Sequence, residues 1–234
     1  MKFAFFGTDQ FSTIVLDTLK MHGLLPALIV TVPDKPKGRK LVLTPPLVKT
    51  WADKNRVEYL QPGKLKDFTL PETDLAVVAS YGKILPQVLL DQPKHGFINV
   101  HPSLLPKYRG ASPLEAAILS SDKETGVTIM HVDAEMDHGA ILDQKVMTMG
   151  KEWLEDLASK LAMLGGEALV KIMPEYVAGK IKPREQNHSE ATYTKKIEKK
   201  DGLINLNDNP ELNFRKIRAY TPWPGAHFFL NGKR

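Results

Sequence analysis

The chain has no cysteine among its 234 residues. Disulfides and thiolate metal ligands are therefore excluded. No apolar run approaches the ~20 residues needed to cross a bilayer, so no membrane partner is expected. The opening Met1–Gly7 has one charge and too short an apolar stretch for a signal peptide, and it reads as a buried first strand. A cytoplasmic location is the expectation. The turn after that strand lacks the three glycines of a dinucleotide fingerprint, and no phosphate-loop motif occurs, which disfavours NAD and ATP binding. No two histidines have helical ligand spacing, so no catalytic metal is expected. There are no internal repeats or low-complexity tracts.

What is present is enough for one α/β domain with a full core and a small appendage. The net charge of +5 is mildly basic and matters only where it is concentrated. Phe3–Phe6 reads as a strand and Phe11, Val15, Leu16 and Leu19 as the apolar face of a helix. Leu24–Val32 is a second strand, and strand–helix–strand implies a parallel unit. Pro33–Pro46 holds four prolines and the basic run Lys35–Lys40, and it reads as a long exposed loop. Helix is expected over Leu47–Lys54 and strand over Val57–Leu60. Leu75–Ala79 and Phe97–Val100 are continuous apolar runs suited to central strands. Val127–Val132 and Ile141–Met147 read as paired strands. Trp153–Val177 has helical periodicity, with Gly165-Gly166 a point where it splits in two. The expected fold is a Rossmann-like, mostly parallel sheet flanked by helices. The expected division is a catalytic domain over 1–182, a linker over 183–208, and over 209–234 the incomplete start of a small β-rich, barrel-like domain. A turn is expected at Asn231-Gly232.

The densest chemical constellation is Asn99-Val100-His101-Pro102-Ser103. Asn99 and His101 are two apart at the end of an apolar strand, which puts both side chains on one face. Ligands of open parallel sheets sit at the carboxyl ends of strands. A turn cap and a satisfied histidine compete with that reading. Asp133, Glu135 and Asp137 lie in a loop followed by His138-Gly139, and a solvated turn competes there. Asp137 stands apart because Gly139 lets the backbone pack closely beside it.

Asn99–Pro113, NVHPSLLPKYRGASP, resembles the signature of the formyltransferases that use 10-formyltetrahydrofolate. The resemblance continues through Thr125–Met130, Asp137-His138-Gly139, the opening FGTDQF, the loop PDKPKGRKL, and Ser80–Leu85. It covers essentially the whole chain, in order. Arg109–Glu115 and Arg218–Gly225 are similar to the branch that formylates methionyl-initiator tRNA. That branch has a longer C-terminal domain, so full tRNA affinity is not implied.

The resemblance implies a monomer with Asn99, His101 and Asp137 as catalytic residues and no metal. It places the folate, the formyl donor, against Ser103, Leu104, Leu105 and Pro106. Gly82, Lys83, Ile84 and Leu85 would join them, with Val132 and Asp133. Plain core packing competes for the apolar members. The tRNA acceptor end would meet Lys35, Lys37, Arg39 and Lys40, for which a solvated charged loop is the alternative. A sugar-nucleotide N-formyltransferase and a non-catalytic folate- or RNA-binding module are the competing functions.

Overall fold

The structure is a computed structural model that describes residues 1–38 and 40–229. Along the chain run β1 (Phe3–Gly7), α1 (Gln10–Met21), β2 (Leu28–Val30), β3 (Lys35–Lys37), β4 (Val42–Thr44), α2 (Leu47–Asn55) and β5 (Tyr59–Leu60). Then come β6 (Leu75–Ala79), α3 (Gln87–Leu90), β7 (Phe97–His101), β8 (Arg109–Gly110), α4 (Pro113–Ser120) and β9 (Glu124–His131). The remainder is β10 (Ile141–Thr148), α5 (Leu154–Val177), β11 (Tyr193–Thr194) and α6 (Pro210–Tyr220).

Seven strands form the main sheet in the order β10-β9-β7-β6-β1-β2-β5. The pairings from β5 through β7 are parallel, and β9 and β10 add antiparallel at one edge. The apolar runs Phe3–Phe6 and Leu75–Ala79 become the central strands β1 and β6, covered on both faces as a parallel sheet requires. One face packs on α1 and α5 through Phe5, Val15, Val77, Val100 and Leu169. The other buries Phe6, Val30, Tyr81 and Phe97. Chain order reverses between β1 and β6, so their carboxyl ends open at a switch point where such sheets bind ligands.

Two details differ from the sequence reading. Pro33–Pro46 is not all loop, because β3 and β4 pair antiparallel as an exposed two-stranded ribbon. Pro36 is tolerated because a two-stranded ribbon has only edge strands. At the root of this ribbon Gln61 and then Lys49 hold the Asp34 carboxyl below its ordinary range. Gly165-Gly166 does not split the helix, and α5 runs unbroken for 24 residues. Both glycines are close-packing points. A Cβ at Gly166 would lie 2.6 Å from Thr18 Cβ on α1, and one at Gly165 would collide with Val100.

Residues 180–208 wrap back on the sheet domain. Arg184 bridges to Ile141, and β11 pairs parallel with β8. The described part of 209–229 is largely α6, started by Asn209, whose side chain accepts from Glu211 N, with Pro210 at the first turn. The expected turn at Asn231-Gly232 lies outside the described residues. Among the described residues no helix is long and apolar enough to cross a membrane.

Candidate active site

A cavity of about 830 Å³ opens where β1, β6 and β7 end. Asp9 and Gln10 follow β1, Ser80–Leu85 follow β6, and Asn99–Pro102 close β7. The loop from Val132 to Asp137, between β9 and β10, forms the opposite wall. Alternation along β7 brings Asn99 and His101 to the cavity together. The side-chain amide of Asn99 makes no hydrogen bond with the described residues, which leaves its donors for a ligand.

His101 is 4% exposed. Its Nε2 lies 3.0 Å from the Tyr108 carbonyl oxygen and its Nδ1 3.5 Å from Asp137 Oδ1. Both neighbours are acceptors, so only a doubly protonated ring can donate to each. The second distance is long for a hydrogen bond, so the Nδ1 contact is the looser of the two.

Asp137 sits at a φ of +52°, in the left-handed region. Asp adopts that region more readily than most residues, at a cost on the order of 1 kcal/mol. Two contacts hold it and a third holds the turn at Gly139. Gly110 N donates to Asp137 Oδ2 at 2.8 Å. Gln186 Nε2 donates to the Asp137 carbonyl at 2.9 Å and to the Gly139 carbonyl at 2.8 Å. Gly139 is needed for close approach, since a Cβ there would collide with the His131 carbonyl. Asp133 and His138 pair at 2.9 Å within the same loop, and Glu135 N donates to Asp133.

Arg109 is 2% exposed and bears on this turn from below. Its Nε and Nη2 donate to Gln186 Oε1 at 3.1 and 2.7 Å. Nη2 also meets His188 Nδ1 at 2.8 Å, and Nη1 donates to the Tyr193 hydroxyl at 3.2 Å. Gln186, 77 residues along the chain from Arg109, was missed by sequence reasoning. No local periodicity marks it in the charged, polar stretch that carries it.

The folate residues expected from the sequence divide into two groups. Gly82, Lys83, Ile84, Leu85, Val132 and Asp133 all line the cavity. Ile84 is 85% exposed there, and the backbone groups of residues 82–85 make no hydrogen bond with the described residues. Ser103, Leu104, Leu105 and Pro106 are not brought to the cavity. Their polar groups are engaged elsewhere: Thr128 Oγ1 accepts from Leu105 N and donates to the Ser103 carbonyl, and Gln144 donates to the Leu105 carbonyl. Tyr81, also at the cavity, is buried and its phenol is pushed up to about 12 by that burial. Lys35, Lys37 and Lys40 are exposed on the ribbon and do not line the cavity, while Arg39 lies outside the described residues. Among the described residues no three His, Asp or Glu side chains gather as a metal site.

The sequence model for Formyl transferase matches residues 1–173, and that for the Formyl transferase C-terminal domain matches 196–234. The chain belongs to the formyl transferase family. It is an enzyme of that family, whose formyl donor is formyl-tetrahydrofolate. Methionyl-tRNA formyltransferase of Chloroflexus aurantiacus is 42% identical over 240 residues, covering 100% of this chain and 77% of that protein. The protein of the same name from Halalkalibacterium halodurans is also 42% identical, covering 100% and 76%. A 4-N formyltransferase from Francisella tularensis matches this formyltransferase in fold with a TM-score of 0.77 at 22% identity, covering 100% and 94%. HypX from Aquifex aeolicus, solved with tetrahydrofolic acid, gives 0.72 at 17%, covering 99% and 36%.

Proposed function

We propose that this formyltransferase moves the formyl group of 10-formyltetrahydrofolate to the free amino group of methionyl-initiator tRNA. Asn99, His101 and Asp137 carry the chemistry. The observation that bears most weight is the triplet itself: an unpartnered amide on Asn99 beside a His101 whose nitrogens both face acceptors, one of them Asp137. The acceptor assignment is supported by the relatives at 42% identity and by the exposed basic ribbon.

The donor fits the cavity. Leu85 and Val132 offer apolar walls for a flat ring, and the unpaired backbone of 82–85 offers an edge to read it. Asp133 and Lys83 supply polar ends. Ser103 N donates to the His101 carbonyl at 2.9 Å, which ties that segment to the end of β7. When bound, the donor supplies a formyl carbon carried on nitrogen.

Negative charge grows on the formyl oxygen as the amine attacks. Asn99 donates to that oxygen and protonated His101 offsets the charge. Preorganised donors of this kind are worth roughly 10²- to 10³-fold each. Amine activation is the smaller task, since a free α-amine titrates near ~8. The harder task is moving its proton to the leaving nitrogen. Asp137 orients His101 or relays that proton through water, help typically worth ~10² to 10⁴.

His101→Ala tests the reading. A protein that stays folded and loses turnover by about 10²-fold or more is expected. Wild-type turnover from that folded variant would remove His101 from the mechanism.

A further inference from the structure

Gln186 is 4% exposed, and both ends of its amide are committed. The oxygen faces Arg109, whose guanidinium can only donate, so the orientation of the amide is fixed. The NH₂ group must then face the turn, where it donates to the carbonyls of Asp137 and Gly139. A carboxylate could take the Arg109 hydrogen bonds but could not donate to those carbonyls. Arg109 therefore acts on the turn twice: its side chain sets Gln186, and the next residue's N–H binds Asp137 Oδ2. The carboxylate of Asp137 is aimed at His101 from a left-handed backbone clamped on both sides. His188 and Tyr193 complete the shell around the guanidinium.

We infer that Gln186, oriented by the buried Arg109, is a positioning residue for Asp137 in formyl transfer. The segment carrying it lines none of the cavity. It nevertheless fixes the geometry of the site through β11 docked on β8. The inference rests on the role proposed above for Asp137.

The test compares Gln186→Met, Gln186→Glu, Asp137→Asn and each Gln186 variant combined with Asp137→Asn, all in the full chain. Turnover and KM for the formyl donor are measured together with cooperative thermal unfolding. Gln186→Met removes both donors and should lower kcat on the order of 10²-fold, the scale of a misplaced catalytic group, with donor KM little changed. Gln186→Glu retains an acceptor for Arg109, so the buried cation stays paired and the fold is protected. It should lose kcat as Gln186→Met does, and it carries the test if Gln186→Met fails to fold.

In the Asp137→Asn background either Gln186 change should add little, because both act through one group. A kcat at the wild-type level in the Gln186 variants would overturn the inference. So would a pure rise in KM, or a Gln186 effect that multiplies unchanged onto Asp137→Asn, which would mark a merely structural role. Full activity in Asp137→Asn alone has its own signature: it removes the Asp137 reading and the inference with it.

Discussion

The ribbon β3–β4 gives a quantitative prediction. Lys35 and Lys37 lie two residues apart on β3 and so project to one face, and Lys40 sits in the connecting turn. All three are exposed. If they meet the phosphates of the tRNA acceptor end, binding releases counterions. For single-stranded nucleic acid the slope of log affinity against log salt is about −0.7 per neutralised phosphate. Replacing Lys35, Lys37 and Lys40 with Gln should then flatten the slope by about two units. Over a fourfold rise in salt, wild type would lose roughly 20-fold more affinity than the variant. The assay is tRNA binding across a salt series for both proteins. Formylation of a saturating small amine should survive in the variant, because none of the three lines the cavity. An unchanged slope would refute the ribbon's role and leave the proposed triplet untouched.

Asn99→Ala should lower kcat by roughly 10²-fold or more with little change in donor KM, as for a donor used mainly in the transition state. Steady-state kinetics decides this, and a pure KM effect would make Asn99 a ground-state binding residue. Gly166→Ala should destabilise by about 1–3 kcal/mol through its clash with Thr18, read as a lower thermal midpoint. Thr18→Ala should recover part of that loss, and full additivity would count against the packing explanation. Burial lowers the pKa of His131, which stacks edge-on against Tyr176. Below pH 6.5 the unfolded chain takes up a proton that folded His131 resists, so stability should fall with pH until the folded ring also titrates. His131→Phe should weaken that dependence in urea melts, and an unaltered pH profile would assign it to other groups.

Much of this architecture was legible because its signals are local. Leu75–Ala79 announced a central strand by continuous apolar character and became β6 without change. Asn99 and His101 were readable as a pair because a strand has period two and β7 ends at His101. Asp137 needed the family resemblance, since only the neighbouring Gly139 sets it apart from Asp133. Gly165-Gly166 looked like a break because helix propensity treats glycine as a penalty, whereas its cause is a close approach by α1 and β7. The ribbon looked like a loop because Pro36 argues against a strand unless that strand is at an edge. Arg109 and Gln186 were out of reach for a different reason. Their bond closes between residues far apart in sequence, and the groups they hold are backbone carbonyls and N–H groups that every sequence contains.

The measurement that tests the central claim most directly is formyl transfer from 10-formyltetrahydrofolate to two acceptors in parallel. One is initiator tRNA charged with methionine, and the other is an amino-sugar nucleotide. Formylated methionyl-tRNA, with the sugar nucleotide left unmodified, is the predicted result. Preferential formylation of the amino sugar would contradict the acceptor assignment, and transfer to neither would contradict the account as a whole.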